Sequence, residues 1–220
     1  MKKMSMVYKT VLLCALTVFF FNCKKSIDET PTWNYSTYTD SRDGQTYKSI
    51  KIGTQEWMVD NLSFKTAAGS WNYGSSEESD PTITKYGRLY TWDAAQQAVP
   101  SGWHLPTDAE WKQLEMFLGM SQAEVDGVGE RGTDEGGKLK ATTGWTSNRN
   151  GTDVLGFTAL PGGFRSDFGS FVNVEFYGYW WTATENDSST AWFRYLGYGT
   201  AIFRKFSYKG EAYSVRCIKN

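Results

Sequence analysis

Residues 102–111, GWHLPTDAEW, join an extended connector directly to a complete helix-start signal, which leaves the chain little conformational choice there. Pro106 fixes its own φ and pushes Leu105 toward an extended backbone, so the chain arrives straight and then turns. Thr107 is placed to accept from the backbone N–H of Glu110 while Glu110 reaches back to Thr107, a reciprocal capping box, and Asp108 adds negative charge to the first turn. Trp111, Leu114 and Leu118 recur on one helical face with Phe117 beside them, and Gly119 stands where a helix of this length ends. The spacing therefore predicts a helix over 107–118 with a buried aromatic face.

The same stretch belongs to an ordered series of blocks: DGQTYKSIKIGTQEWMVDNL (43–62), YGRLYTW (86–92), GWHLPTDAEW, GGKLK (136–140), FTALPGGFR (157–165), YGYWWTATE (177–185) and YSVRC (213–217). In these blocks the chain resembles the Fibrobacter succinogenes major paralogous domain family. The resemblance implies an α+β domain related to the C-type lectin-like fold, with short antiparallel strands, two helices and long loops, in surface lipoproteins of Bacteroidetes-type bacteria. It implies no particular biochemical activity.

The N-terminus has the layout of a signal peptide, expected over 1–22: Lys2, Lys3 and Lys9 precede the apolar run VLLCALTVFFF, Val11 to Phe21. A membrane-spanning helix needs about 20 consecutive apolar residues, and this run stops short at Asn22. Cys23 follows at once and resembles the lipidated first residue of a bacterial lipoprotein, although Phe20, Phe21 and Asn22 depart from the usual Leu and small residues. The competing reading is an ordinary thiol after conventional cleavage, but no A-x-A-like site stands between the apolar run and Thr32. Residues 23–38 then form the acylated cysteine and a polar, Pro31-containing tether, with the domain proper expected over 39–220. Asp28 and Glu29 resemble acidic surface-export signals. The expected location is the cell envelope, lipid-anchored in the outer membrane and exposed at the surface, with the membrane as a partner through that lipid.

If Cys14 leaves with the signal and Cys23 is acylated, only Cys217 remains as a thiol. In the family, GWHLPT is often preceded by Cys-Pro, and that cysteine is a pairing partner for the one in YSVRC; here Val99 stands before Pro100. Cys217 is then expected as a free, buried thiol alternating with Val215 and Tyr213 on the inner face of a last strand, with Arg216 pointing the other way. Without Lys2, Lys3 and Lys9, the 23 basic residues fall to 20 against 24 acidic ones. Nothing in that balance suggests nucleic acid. One domain of this length buries about 70% of its extended-chain surface, enough to fold without metal or disulfide.

Thr46–Ile52 alternates as a half-buried strand, Gly53–Gln55 offers a turn, and Glu56–Leu62 returns, which predicts a hairpin. Lys65–Pro81 has no period and reads as a surface loop. A short helix over Thr91–Ala98 ends at Pro100. From Gly144 onward, aromatic and β-branched runs (Val154–Leu160, Glu175–Thr184, Ala191–Leu196, Ala201–Tyr208, Tyr213–Ile218) alternate with turn residues and predict antiparallel strands. No repeat of fixed period is visible.

Several chemistries are missing. The chain has a single histidine, and H-E-x-x-H, C-x-x-C, G-x-x-x-x-G-K-[ST] and G-x-S-x-G motifs are absent. His104 is more readily a hydrogen-bonded core residue than a lone base. Gly127, Gly129 and Gly132 spell a formal dinucleotide fingerprint, but they follow a helical stretch and precede Gly136 and Gly137, so they read as a flexible loop. Sulfatase-modifying enzymes share the lectin-like fold but bind copper through a cysteine pair, which this chain cannot supply after processing. Acids such as Glu77, Glu130 and Glu135 leave a glycoside hydrolase open without selecting two of them. No cofactor is expected.

A binding module fits best. Arg165, Trp180, Trp181, Glu185 and Asp187, with Asn186, Trp192 and Arg194, gather flat rings and fixed polar groups around the C-terminal strand ends, the mixture that sugar recognition uses. Against it, Trp180 and Trp181 point to opposite faces of a strand, so at least one fills core. Glu185, Asn186 and Asp187 are hard oxygen ligands, yet the lectin signature W-N-D is absent and the metal is left unassigned. Asp40–Gly44 reads as a turn. The expected function is a non-catalytic binding or adhesion module for a glycan or a protein. The alternatives are a hydrolase or modifying enzyme on a lectin-like scaffold and a purely structural surface protein.

Overall fold

The computed structural model describes residues 32–74 and 85–220. The expected signal peptide, Cys23 and the loop segment 75–81 lie outside the described residues. The compact unit runs from Trp33 to Asn220, and it is dominated by short strands.

The first strands follow the expected hairpin. β1 (Ser36–Thr39) pairs antiparallel with β2 (Thr46–Ile52), which turns through Gly53 and Thr54 into β3 (Gln55–Met58). β14 (Ile218–Lys219) and β6 (Trp103–His104) complete a five-stranded sheet in the order β1-β2-β3-β14-β6. The second, nine-stranded sheet runs β4 (Ser70–Trp71), β5 (Leu89–Tyr90), β13 (Tyr213–Ser214), β10 (Gly178–Glu185), β11 (Thr190–Leu196), β12 (Ile202–Tyr208) and β7 (Gly129–Arg131). β8 (Gly162–Arg165) joins it beside β10 and carries β9 (Phe171–Val174). Both β13 and β8 run parallel to β10, so the expectation of antiparallel pairing holds only in part.

Four helices stand among the described residues where two were expected: α1 (Trp92–Ala98), α2 (Asp108–Leu118), α3 (Gln122–Asp126) and α4 (Glu135–Leu139). α2 carries the full capping box, with Gly119 as C-cap. Trp111, Leu114 and Leu118 are buried as expected, but Phe117 is 56% exposed because it lies about a quarter of a turn from the centre of that stripe. α3 has a capping box of its own, Ser121 with Glu124, that the sequence reading passed over.

The glycine run 127–132 is not a flexible loop. Its centre is β7, paired with β12, and Gly136 and Gly137 sit inside α4 instead of interrupting it. A Cβ on Gly136 would lie 2.3 Å from the Ala201 carbonyl oxygen, so the glycine serves close packing of helix against turn. Nor is Val154–Leu160 a strand. The Asp153 carboxylate accepts from Thr158 N (2.8 Å) and Oγ1 (2.8 Å), closing a local turn that competes with a ladder, and only Ala159 makes an isolated bridge, to Lys140.

Alternation along strands feeds two hydrophobic clusters. Trp57 and Trp180 join Trp111 and Phe157 in one, while their neighbours Met58 and Trp181 join Trp103, Tyr213 and Cys217 in the other. The last strand expected over 213–218 divides between the sheets. Residues 213–214 pair in the large sheet and 218–219 in the small one, and the whole run Tyr213–Ile218 is buried. Cys217 is free and buried as expected. Arg216 is buried too, contrary to expectation: Asn61 Oδ1 (3.0 Å) and the Phe157 and Thr158 carbonyls accept from it, and burial pulls its guanidinium down to about 10.

Candidate binding face

The residues expected to bind ligand do not converge. Trp180 and Trp181 are both core, 1% and 0% exposed, and each indole N–H is used internally, Trp180 to Asn61 Oδ1 (2.9 Å) and Trp181 to the Tyr90 carbonyl (2.8 Å). Neither ring is offered to a ligand. Arg165 is half-buried and lies 4.1 Å over the Trp71 ring. Glu185 stands at the far end of β10 from the point where β8 pairs, about 23 Å along the strand at ~3.3 Å per residue, and is bound to Lys209 (2.6 Å). Asp187 closes the β10–β11 turn: hydrogen bonds from Thr190 and Ser189 hold its carboxyl well below the usual range. Asn186 donates to Thr190 Oγ1 (3.0 Å) in the same turn. Among the described residues no cluster of His, Cys, Asp or Glu is placed to hold a metal ion.

Arg194 and Trp192 face α2. Arg194 Nε donates to Glu115 Oε1 (2.5 Å) and Nη1 to Asp108 Oδ1 (2.7 Å); Arg204 donates to both Asp108 oxygens (2.8 and 2.9 Å), and Arg131 to both Glu115 oxygens (2.7 and 2.9 Å). Arg204 also lies 3.7 Å over the Trp192 ring. Burial alone would raise the Asp108 carboxyl, but the hydrogen bonds and charge of Arg204 and Arg194 outweigh it and hold it at about 2. These charges clamp the helix to the sheet. His104 is half-buried at the surface, not in the core, with Nε2 2.8 Å from Glu110 Oε1 and Nδ1 2.7 Å from Asn220 Oδ1.

The opposite face of β10–β12 is different. Register sets Tyr179 against Tyr195, and Tyr195 against Phe203. Their rings stack at 5.5 Å and 4.3 Å, and Tyr213 extends the row beyond Tyr179 at 5.3 Å. At the Trp181 end this face is covered, since Trp181 and Phe193 are buried. At the other end it is open: Tyr177, Tyr179, Tyr195 and Phe203 are half-buried, and Tyr198 is 54% exposed. Tyr177 lies across Gly197, where a Cβ would be 2.3 Å from its ring, and meets Tyr198 edge-on at 5.1 Å and 88°. The Arg149 guanidinium stacks 3.5 Å from the Tyr198 ring centre. Asn173 Nδ2 donates to the Tyr179 hydroxyl (2.9 Å), and exposed Lys205 and Glu130 border the row.

Burial raises the Tyr177, Tyr179 and Tyr195 hydroxyls above the ordinary tyrosine value, so all three stay neutral donors and acceptors over physiological pH. The result is a rigid ridge of apolar ring carbon tipped with hydroxyls. Sequence reasoning missed it because the contacts run across strands. The spacing of Tyr177 with Tyr179, and Tyr195 followed by Phe203 after a glycine turn, was the available signal.

A sequence model of the Fibrobacter succinogenes major domain matches residues 50–219. The chain belongs to that family. Comparison with curated proteins and with solved structures gave no match. The Fibrobacter succinogenes major domain here includes the end of β2 and all of β3, the first core cluster, the second apart from Tyr47, and the entire aromatic face, while Trp33 and Tyr35, upstream of the match, pack against the first cluster.

Proposed function

We propose that this protein is a cell-envelope lipoprotein acting as a non-catalytic binding module, and that the open aromatic face of β10–β12 takes a glycan. The observation that carries the reading is the row Tyr179, Tyr195 and Phe203, with Tyr177 and Tyr198 above it, left uncovered on a rigid sheet. Ring carbon can cover the apolar side of a sugar while tyrosine hydroxyls meet its hydroxyls. A soluble chain has little reason to leave so many contiguous rings wet unless something covers them. The signal-like N-terminus and Cys23 support an envelope location and a lipid anchor, and the seven sequence blocks support a lectin-like relationship.

Binding is preferred to hydrolysis because cleaving a glycoside takes two carboxyls placed across the bond. Of the acids near the row, Glu211 is engaged by Ser207 Oγ (2.7 Å) and the Tyr213 hydroxyl, and Glu130 borders the Phe203 edge. The test is a glycan array probed with the full chain in detergent, beside the double variant Tyr195→Ala, Phe203→Ala. Glycan binding lost in the variant while its thermal melt stays cooperative supports the reading. Retention of binding in a folded variant, or no glycan bound by the parent protein, overturns it.

A further inference from the structure

At the end of the open face where the rings are most exposed stands a cation, Arg149, that no carboxylate among the described residues answers. Its guanidinium lies against Tyr198, is half-exposed, and makes no hydrogen bond or ion pair among the described residues; Nη1 is buried without an acceptor. Arg42, Arg131, Arg194 and Arg204 each hold a carboxylate, and Arg216 holds three oxygen atoms. A guanidinium has five N–H donors and no acceptor, and leaving the buried Nη1 without an acceptor is unfavourable in the free protein. Stacking on a tyrosine face leaves the in-plane donors clear of the ring, the arrangement by which a guanidinium receives a planar anion.

The turn that carries Tyr198 is fixed from beneath by a second cation. Lys140 is buried, and its ammonium donates to the carbonyls of Gly197 and Gly199 (2.8 Å for the latter), one on each side of Tyr198. Among the described residues no carboxylate pairs with it; burial and the nearby Arg149 charge pull its amine down to about 8. Gly137 N to the Thr200 carbonyl (3.0 Å) and Thr200 Oγ1 to the Thr133 carbonyl (2.5 Å) anchor the same turn to α4. The platform is thus preorganised, with two positive charges at the Tyr198 end. Two carboxylates border the row among the described residues: Glu211, bound by the Tyr213 hydroxyl, and Glu130, opposite Phe203 and near Gly199; neither pairs with Arg149 or Lys140.

We infer that the aromatic face is built for an acidic glycan, a sugar chain bearing carboxylate or sulfate groups, and that Arg149 is the residue that receives the anion while the tyrosine row holds the sugar rings. This rests on the glycan-binding reading above and adds the ligand's charge to it.

The experiment is isothermal titration of the full chain in detergent with four probes: an oligogalacturonate hexamer, a heparin-derived hexasaccharide, cellohexaose and inorganic sulfate. The parent protein is compared with Arg149→Gln, Arg149→Lys and the Tyr195→Ala, Phe203→Ala double variant. The expected result is binding of at least one charged oligosaccharide about tenfold or more above cellohexaose, weakening with added salt. Arg149→Gln should lose that preference without lowering the thermal midpoint, Arg149→Lys should retain part of it, and sulfate alone should bind far more weakly. Which charged probe binds tells carboxylate from sulfate. Equal affinity for charged and neutral chains, or an unchanged charge preference in Arg149→Gln, overturns the inference; if the double variant still abolishes binding in that case, the aromatic-face reading stands without it. Binding to none of the oligosaccharides overturns both.

Discussion

Replacing Asp108 with Asn isolates the charge cluster that clamps α2 to the sheet. The carboxylate accepts from Arg194 Nη1 at 2.7 Å and from Arg204 Nε and Nη2 at 2.8 and 2.9 Å, and Lys112 Nζ lies 3.5 Å away. Its side chain is 9% exposed, so solvent screens these contacts little. Ordinary Asp titrates at 3.8 and this one at about 2; at ~1.36 kcal/mol per pH unit, the arginines therefore contribute about 2 kcal/mol through the ionised form. The folded value is the depressed one, so this stability is fully present above about pH 4 and is lost as pH falls toward 2. The Asn variant also leaves two arginines short of an acceptor, and the total loss at pH 7 should be ~2–4 kcal/mol.

Urea melts of parent and variant at pH 7, 5, 3.5 and 2.5 give the difference directly, because the other carboxyls titrate in both proteins and cancel. The difference should be flat from pH 7 to 5 and shrink by about 2 kcal/mol below pH 4. Asp126→Asn, which alters only an exposed carboxylate bound by Lys112 and Gln122, serves as the control and should cost under ~1 kcal/mol. A loss below ~0.5 kcal/mol at pH 7, or a loss of equal size at every pH, would refute the account of the cluster.

Thr107→Ala removes the acceptor of the α2 capping box and should cost ~1 kcal/mol in the same melts, whereas Trp111→Ala, which empties a core site, should cost ~3–5 kcal/mol. Cys217 is buried and its thiol is pushed up by burial, so it should react with a thiol reagent only on denaturation; fast labelling in native buffer would contradict that placement. Gly197→Ala drives a methyl into the Tyr177 ring and should disturb near-UV dichroism of the aromatic face at modest cost in stability, and an unchanged spectrum would show that the ring does not lie there. Cys23→Ala should move the protein from the detergent to the aqueous phase, and equal partitioning of both forms would remove the lipid anchor from the proposed function.

The α2 start needed no tertiary information: Pro106, Thr107 and Glu110 complete a local hydrogen-bonding circuit, and local circuits are written in consecutive residues. The β2–β3 hairpin was legible for the same reason, as were α1 and the burial of Trp111 and Cys217. What failed locally was whatever a distant segment decides. Val154–Leu160 has strand-like composition, yet the Asp153 carboxylate turns it; Gly136 and Gly137 break helices in isolation, yet the Ala201 carbonyl requires their bare Cα within α4. Tyr213–Ile218 reads as one strand because alternation does not say that two sheets will divide it.

The same division separates the expected site from the observed face. Trp180 and Trp181 carry the loudest sequence signal for binding, but adjacent residues in a strand face opposite ways, and here both directions lead into core. The open face is assembled from Tyr179, Tyr195 and Phe203, which become neighbours only through the register of β10, β11 and β12. Arg149 is remote from all three in sequence and reaches the face only because the glycine turn at Gly197 and Gly199, held by Lys140, presents Tyr198 to it. Sequence by itself determined the elements whose hydrogen bonds close within a few residues and the family to which the chain belongs. Which rings stay wet and which charges stay unpaired was decided by strand pairing, because exposure belongs to the assembled surface and not to any one segment.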